Sequence, residues 1–166
     1  TGVLTAGAVY VFTRDPTDAT DPWSEIQKLE ALDAASDDAF GAAVALAGNM
    51  AVIGAPGVDL PSVGMMVRVD AGAAYDFRRD PDTGLFGQRT QLLSSDALAG
   101  EAFGTAVIVA CDTVIIGAPD VDLSLLQMNA GAAFVFQTFE EQEDSSGSRS
   151  SSGSGTCFID TAGFGV

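Results

Sequence analysis

The sequence predicts an all-β fold built from repeated units of four short antiparallel strands, and three observations carry that prediction. The first is a cassette: Phe40-Gly41 followed by Gly54-Ala55-Pro56, which returns as Phe103-Gly104 followed by Gly117-Ala118-Pro119. The copies lie 103 − 40 = 63 residues apart, and the two glycines are separated by 13 in both (54 − 41 and 117 − 104). The second is a word, Ala-Gly-Ala-x-Tyr/Phe-x-Phe, at residues 6–12, 71–77 and 130–136. The third is strict alternation inside these segments together with recurrent glycine, a pattern that suits strands and works against helices. Self-similarity at such a period marks stacked units that cannot bury their apolar faces alone.

The elements follow in order within each unit. From Phe40, the residues Ala42, Val44 and Leu46 are expected on one face of a first strand, with Gly41, Ala43, Ala45 and Ala47 on the other. The second copy reads Phe103, Thr105, Val107, Val109 against Gly104, Ala106, Ile108, Ala110. With both faces apolar, this strand is expected to be buried on both sides. Gly48-Asn49, or Cys111-Asp112, makes a tight hairpin turn. A second strand follows as Ala51-Val52-Ile53 or Val114-Ile115-Ile116 and ends at Gly-Ala-Pro, because proline cannot continue a ladder. The Ala-Gly-Ala word opens a third strand whose aromatics, two residues apart, share a face. Arg14-Asp15-Pro16 and Arg79-Asp80-Pro81 then read as turns, Asp preceding Pro being a type I signature. Fourth strands are expected from Trp23 to Leu29 and from Phe86 to Leu93, the outermost in each unit, with the Phe40 and Phe103 strands innermost. Four antiparallel strands in about 60 residues is the unit of a β-propeller blade.

Composition bounds the chemistry. The chain has 166 residues, 47% of them hydrophobic and 18% charged, enough for a real core. Its formal charge is −16, from 23 acids against seven bases, which argues against nucleic acid and anionic membrane surfaces as partners. There is no histidine, so imidazole catalysis and histidine-based zinc sites are excluded. No phosphate-binding loop or nucleophile elbow occurs, and no pair of acids is singled out for glycosidase-type work. Cys111 and Cys157 stand too far apart for a CxxC motif; they can pair in an oxidising compartment or stay as core thiols. No uninterrupted apolar run reaches the roughly 18 residues of a spanning helix, so no membrane insertion is expected. Thr1 opens the chain without a basic leader, which reads as a mature or excised segment.

The cassette, with Phe-Gly, a Gly-Asn hairpin, Ile-Gly-Ala-Pro and then Gly-Ala-x-Tyr/Phe-x-Phe, resembles the FG-GAP repeat of integrin-α-like β-propellers. It is most similar to repeats of large extracellular proteins of microbes and algae. The resemblance covers roughly residues 4–139 and 157–166, with a third cassette opening at Phe164-Gly165. It implies that the Phe, Gly and Pro positions are structural, packing blade on blade and shaping turns. It also implies propeller blades over residues 1–139, and a blade end plus the start of another over 157–166. Between them, the acidic and Ser/Gly-rich stretch 140–156 reads as a flexible segment. Closed propellers have typically four to eight blades, so about 2.5 blades are expected to form an open arc with apolar terminal faces.

Function is expected to follow the family: a non-enzymatic, extracellular or cell-surface binding and adhesion module that recognises protein or glycan partners through inter-strand loops. An accessory propeller of a secreted hydrolase and a structural array in a filament or wall are the alternatives. No cofactor is required. Calcium is a candidate, but the family's D-x-D-x-D-G loop is absent, the corresponding connections being Gly48-Asn49 and Cys111-Asp112. Asp59, Asp70, Asp120 and Asp122 are the remaining candidate ligands, and one carboxylate per loop fits turn capping better than a cation cage. Asp15, Asp18 and Asp21 read as turn chemistry, and Asp76, where Val11 and Val135 stand in the other copies, as a contact to Arg78 or Arg68. Met65, Met66 and Arg68 lie on the longer post-cassette loop, Pro61–Asp70, and are the candidate partner-binding residues if they are exposed.

Overall fold

A computed structural model of the chain describes residues 6–137, except 16, 19, 21, 112 and 123–127. Phe164-Gly165 and the segments 140–156 and 157–166 therefore lie outside the described residues. Eleven strands and no helix occur among the described residues. They are β1 (Val9–Thr13), β2 (Ser24–Leu29), β3 (Ala43–Ala47), β4 (Met50–Ala55), β5 (Leu60–Val63) and β6 (Met66–Arg68). The chain continues through β7 (Ala73–Arg79), β8 (Phe86–Leu92), β9 (Ala106–Ala110), β10 (Thr113–Ala118) and β11 (Ala132–Gln137).

These sort into propeller-type blades. The middle one is a four-stranded antiparallel sheet in the order β3-β4-β7-β8. One flank is the pair β1-β2, corresponding to β7-β8; the other is β9-β10-β11, corresponding to β3-β4-β7. The small sheet β5-β6 is an added hairpin between β4 and β7. The sheets do not close into a ring among the described residues. Hairpin register agrees with the alternation: Ala47 faces Met50 across Gly48-Asn49, where Gly48 adopts φ 57°.

Each blade has two faces with different chemistry. In the middle blade, Ala51, Ile53, Ala55, Tyr75 and Phe77 point toward β1-β2, and Val9 and Val11 pack against them. Met50, Val52 and Ala74 point the other way and meet Val107, Val109, Val114, Ile116 and Phe134 of the next blade. The two interfaces are layers of the same kind, and burying them is the main stabilising term.

Two expectations need correction. Phe40 is not the first residue of a strand: Gly41 turns at φ 94° and β3 begins only at Ala43, so Phe40 is buried while Val44 and Leu46 are 50% and 65% exposed. The turn breaks the period-two count. Nor is the first strand buried on both faces, since Val44, Leu46 and Ile108 are exposed. Ala43, Ala45 and Ala47 face the next blade with their partners Gly54, Val52 and Met50, but no described strand covers the opposite side. The far end shows the same thing, with Ile108, Ile115 and Val135 outward. Apolar terminal faces on an open arc were expected, and they are present.

Candidate functional site

The cassette residues hold one another through main-chain bonds. Gly41 N–H donates to the Gly54 carbonyl at 3.0 Å, and Gly104 N–H to the Gly117 carbonyl at 3.1 Å, which explains the constant spacing between the glycines. Phe40 N–H donates to Ala6 O at 2.8 Å and Phe103 N–H to Ala71 O at 3.1 Å, so each Phe-Gly turn is stitched to the preceding blade. Its ring packs edge-on against its own blade's third strand: Phe40 lies 5.6 Å from Tyr75 and 6.0 Å from Phe77, and Phe103 5.3 Å from Phe134. The stitch requires glycine at Gly72, φ 83°, where a Cβ would lie 2.2 Å from the Phe103 carbonyl oxygen. Ala55-Pro56 and Ala118-Pro119 close the second strands. These residues form the frame of the molecule.

The Pro61–Asp70 connection folds as the β5-β6 hairpin, turning at Gly64 (φ 62°) and Met65. Its tip projects: Met65 is fully exposed and Val63 and Met66 about as open as each other, at 61% and 62%. Arg68 is not a loose cation, because Nε donates to the Pro61 carbonyl at 2.8 Å and Nη2 donates to the same oxygen. It pins the hairpin across its base. Main-chain bonds from Gly100 N–H to Val69 O (2.8 Å) and from Ala102 N–H to Asp70 O (3.2 Å) seat the hairpin on the β8–β9 loop. That contact brings exposed Val69 and Leu98 to the patch, two residues the sequence did not single out. A glycine turn between two apolar runs, Val63-Gly64-Met65-Met66, was the available signal for a hairpin.

The candidate carboxylates serve turns. Asp59 accepts from Asp70 N–H at 2.9 Å, and Asp122 accepts from Asn129 N–H at 2.7 Å, the same device in both copies. Asp70 and Asn129 themselves adopt φ of 51° and 52°, a conformation their short polar side chains tolerate. Asp120 is exposed in the turn after Pro119. Among the described residues no group of three or more acids, cysteines or histidines is arranged to hold a metal ion. Asp15 and Asp18 accept from the amides and hydroxyls of Thr17 and Thr20, which hold both carboxyls below the ordinary range; Asp21 lies outside the described residues. Asp76, buried in β7, receives Arg78 Nε on both oxygens, at 3.1 and 3.2 Å. Cys111, in the β9–β10 turn, is disulfide-bonded, while Cys157 lies outside the described residues.

Antiparallel blades that share a Phe-Gly seam define a propeller-type repeat protein. The FG-GAP repeat model matches residues 23–77 and 86–136, and the chain belongs to that family. Among curated proteins none matches the chain.

Proposed function

We propose that this propeller-type module is a non-enzymatic binding and adhesion domain that acts outside the cell or at its surface, engaging a protein or glycan through its inter-strand loops. The observation that carries this reading is the β5-β6 hairpin, an addition to the blade that lifts Met65 and Met66 into solvent. A frame built from main-chain bonds leaves such loops free to vary, and recognition concentrates on loops held by rigid scaffolds. The Cys111 disulfide supports an oxidising compartment. The exposed terminal faces suit further blades of the same kind as additional partners. The reading requires no cofactor.

The test compares the parent chain with a Met65→Ser/Met66→Ser variant, immobilised and presented with extracellular proteins and glycans. A partner retained by the parent is expected to be lost by the variant, while unfolding free energy changes by less than about 1 kcal/mol. Arg68→Ser is assayed separately, because that change also unpins the hairpin. Retention of the same partner by the double variant at full strength would sink the proposal.

A further inference from the structure

Both ends of the blades carry exposed carboxylates, but most of the described arginines lie toward one of them. One end carries the Gly-Ala-Pro turns, the hairpin and the β8–β9 loop, since Ala43 pairs with Gly54, Ala55 with Ala73 and Ala74 with Leu92 there. Asp59, Asp70, Asp96, Asp120 and Asp122 are all exposed at that end. Its one described arginine, Arg68, is folded back onto the Pro61 carbonyl within the hairpin. Glu101 is buried in the same loop layer, and its Oε2 has no hydrogen-bond partner among the described residues. Crowding of like charges is felt by Asp38, whose carboxyl is pushed up by burial and then by Asp33, Asp59 and Asp37. The arginines Arg14, Arg78 and Arg79 sit toward the other end, where Arg79 pairs with Phe86, beside the exposed Asp15, Asp18, Asp80 and Asp82 of the turns there; Lys28, at the acidic end, is held by Glu30. Over the acidic end stand Val63, Met65, Met66, Val69 and Leu98, an exposed apolar group on a rim that otherwise repels anions.

We propose that the hairpin tip and the acidic rim beneath it form a docking surface for a cationic amphipathic segment of a protein partner, one in which Lys or Arg alternates with Leu, Ile, Phe or Trp. This rests on the partner-binding reading above and names the chemistry of the partner. Methionine side chains are flexible and polarisable, and they adapt to irregular apolar side chains. The surrounding carboxylates attract a basic segment and speed its encounter, while opposing anionic lipid, nucleic acid and acidic peptides. Neither feature alone selects a partner; an apolar tip ringed by carboxylates selects one that carries both characters.

The probe is a fluorescent synthetic peptide of repeated Leu-Lys-Lys-Leu, titrated into the full chain at low and high salt and read by anisotropy. Controls are the same peptide with Lys replaced by Gln, an oligolysine, and vesicles of anionic phospholipid. Binding of the Leu/Lys peptide is expected to weaken by about tenfold in Met65→Ser/Met66→Ser. In Asp96→Asn/Asp120→Asn it is expected to weaken several-fold and to lose part of its salt dependence. The proposal is overturned if the Gln peptide binds equally well, or if oligolysine binds as tightly and ignores the methionine change. Equal capture by anionic vesicles overturns it too. Absence of peptide binding, with a natural partner still lost in the methionine variant, overturns the assigned chemistry and leaves the hairpin as the binding element.

Discussion

At the scale of single residues, the cassette contains strain that sequence reading passes over. Ala39 and Ala102, each just before the motif Phe, adopt φ of 57° and 53°. Alanine in the left-handed region costs about 1–2 kcal/mol, part of which glycine returns as unfolded-state entropy. Ala39→Gly and Ala102→Gly are each expected to stabilise the chain by about 0.5–1 kcal/mol, measured by denaturant unfolding. Asp38 gives a pH-dependent test. Burial raises its folded-state pKa, so the proton is held more tightly in the folded chain than in the unfolded one. Its favourable contribution is present in acid and is lost as pH rises through the folded value. Asp38→Asn keeps an acceptor for Ala35 N–H, bonded at 2.6 Å, without the charge. The variant should melt above the parent at pH 7, and the gap should close on acidification below the ordinary carboxylate range. A constant gap at all pH values would show that charge is not the cause. Asp15, Asp18 and Asp80 carry the opposite sign: their lowered values favour the folded chain above the carboxylate range and cease to do so in acid.

At the scale of elements, the two copies of one motif residue meet different neighbours. A Cβ on Gly54 would lie 1.9 Å from the Gly104 carbonyl oxygen, whereas one on Gly117 would meet, among the described residues, Ala106 alone, its Cβ at 3.4 Å. Gly54→Ala must push two blades apart through their backbones, and its expected cost is about 3 kcal/mol or more, read by chemical denaturation. Gly117→Ala should cost less than about 1 kcal/mol in the same experiment. Similar costs for both would mean that the seam is not what the glycine protects. The paired strands also share an irregularity. Register shifts between Val11 and Phe12 leave Ile26 as an extra residue, and shifts between Asp76 and Phe77 leave Arg89 as one. These bulges recur at the repeat offset, 89 − 26 = 63, although Ile and Arg have nothing in common that would announce them.

At the scale of the whole molecule, the open faces govern behaviour in solution. Tyr10 and Phe12 are 51% and 50% exposed, whereas their counterparts Tyr75 and Phe77 are 0% and 3% exposed, sealed under Phe40. Val44 and Leu46 at one end, and Ile108 and Val135 at the other, add to this surface. The chain alone is therefore expected to self-associate, with sedimentation shifting to larger species as concentration rises. Gly117→Ala, which leaves the fold intact, should reduce that association by obstructing the face that a neighbouring Phe-Gly turn approaches. A strictly monomeric parent at high concentration would contradict the open arc. The blade strands, their order and their turns were legible because alternation, Gly-Asn and Gly-Ala-Pro are local signals, whereas β5 and β6 lie where a loop was expected. Less legible were the place where β3 begins, which depends on a positive-φ glycine after Phe40, and the projection of Met65, which depends on what lies beside the hairpin. Turn capping by Asp59 and Asp122 follows from their repeated position, while the Arg68 clasp on Pro61 does not.

The bond from each motif Phe amide reaches backward along the chain. Phe40 finds Ala6, 34 residues earlier (40 − 6), and Phe103 finds Ala71, 32 earlier (103 − 71). Every unit is thus anchored to polypeptide that precedes it in the order of synthesis. The anchoring bond runs backward along the chain, while the side chains that fill the same seam, Ile53, Tyr75 and Phe77, follow Phe40 in sequence and complete it as the new unit folds onto the finished one. The contacts that join units also span modest loops, which keeps the entropy of closing them small. Blades can accordingly be added one at a time in the order of translation, each new Phe-Gly turn closing the face its predecessor left open.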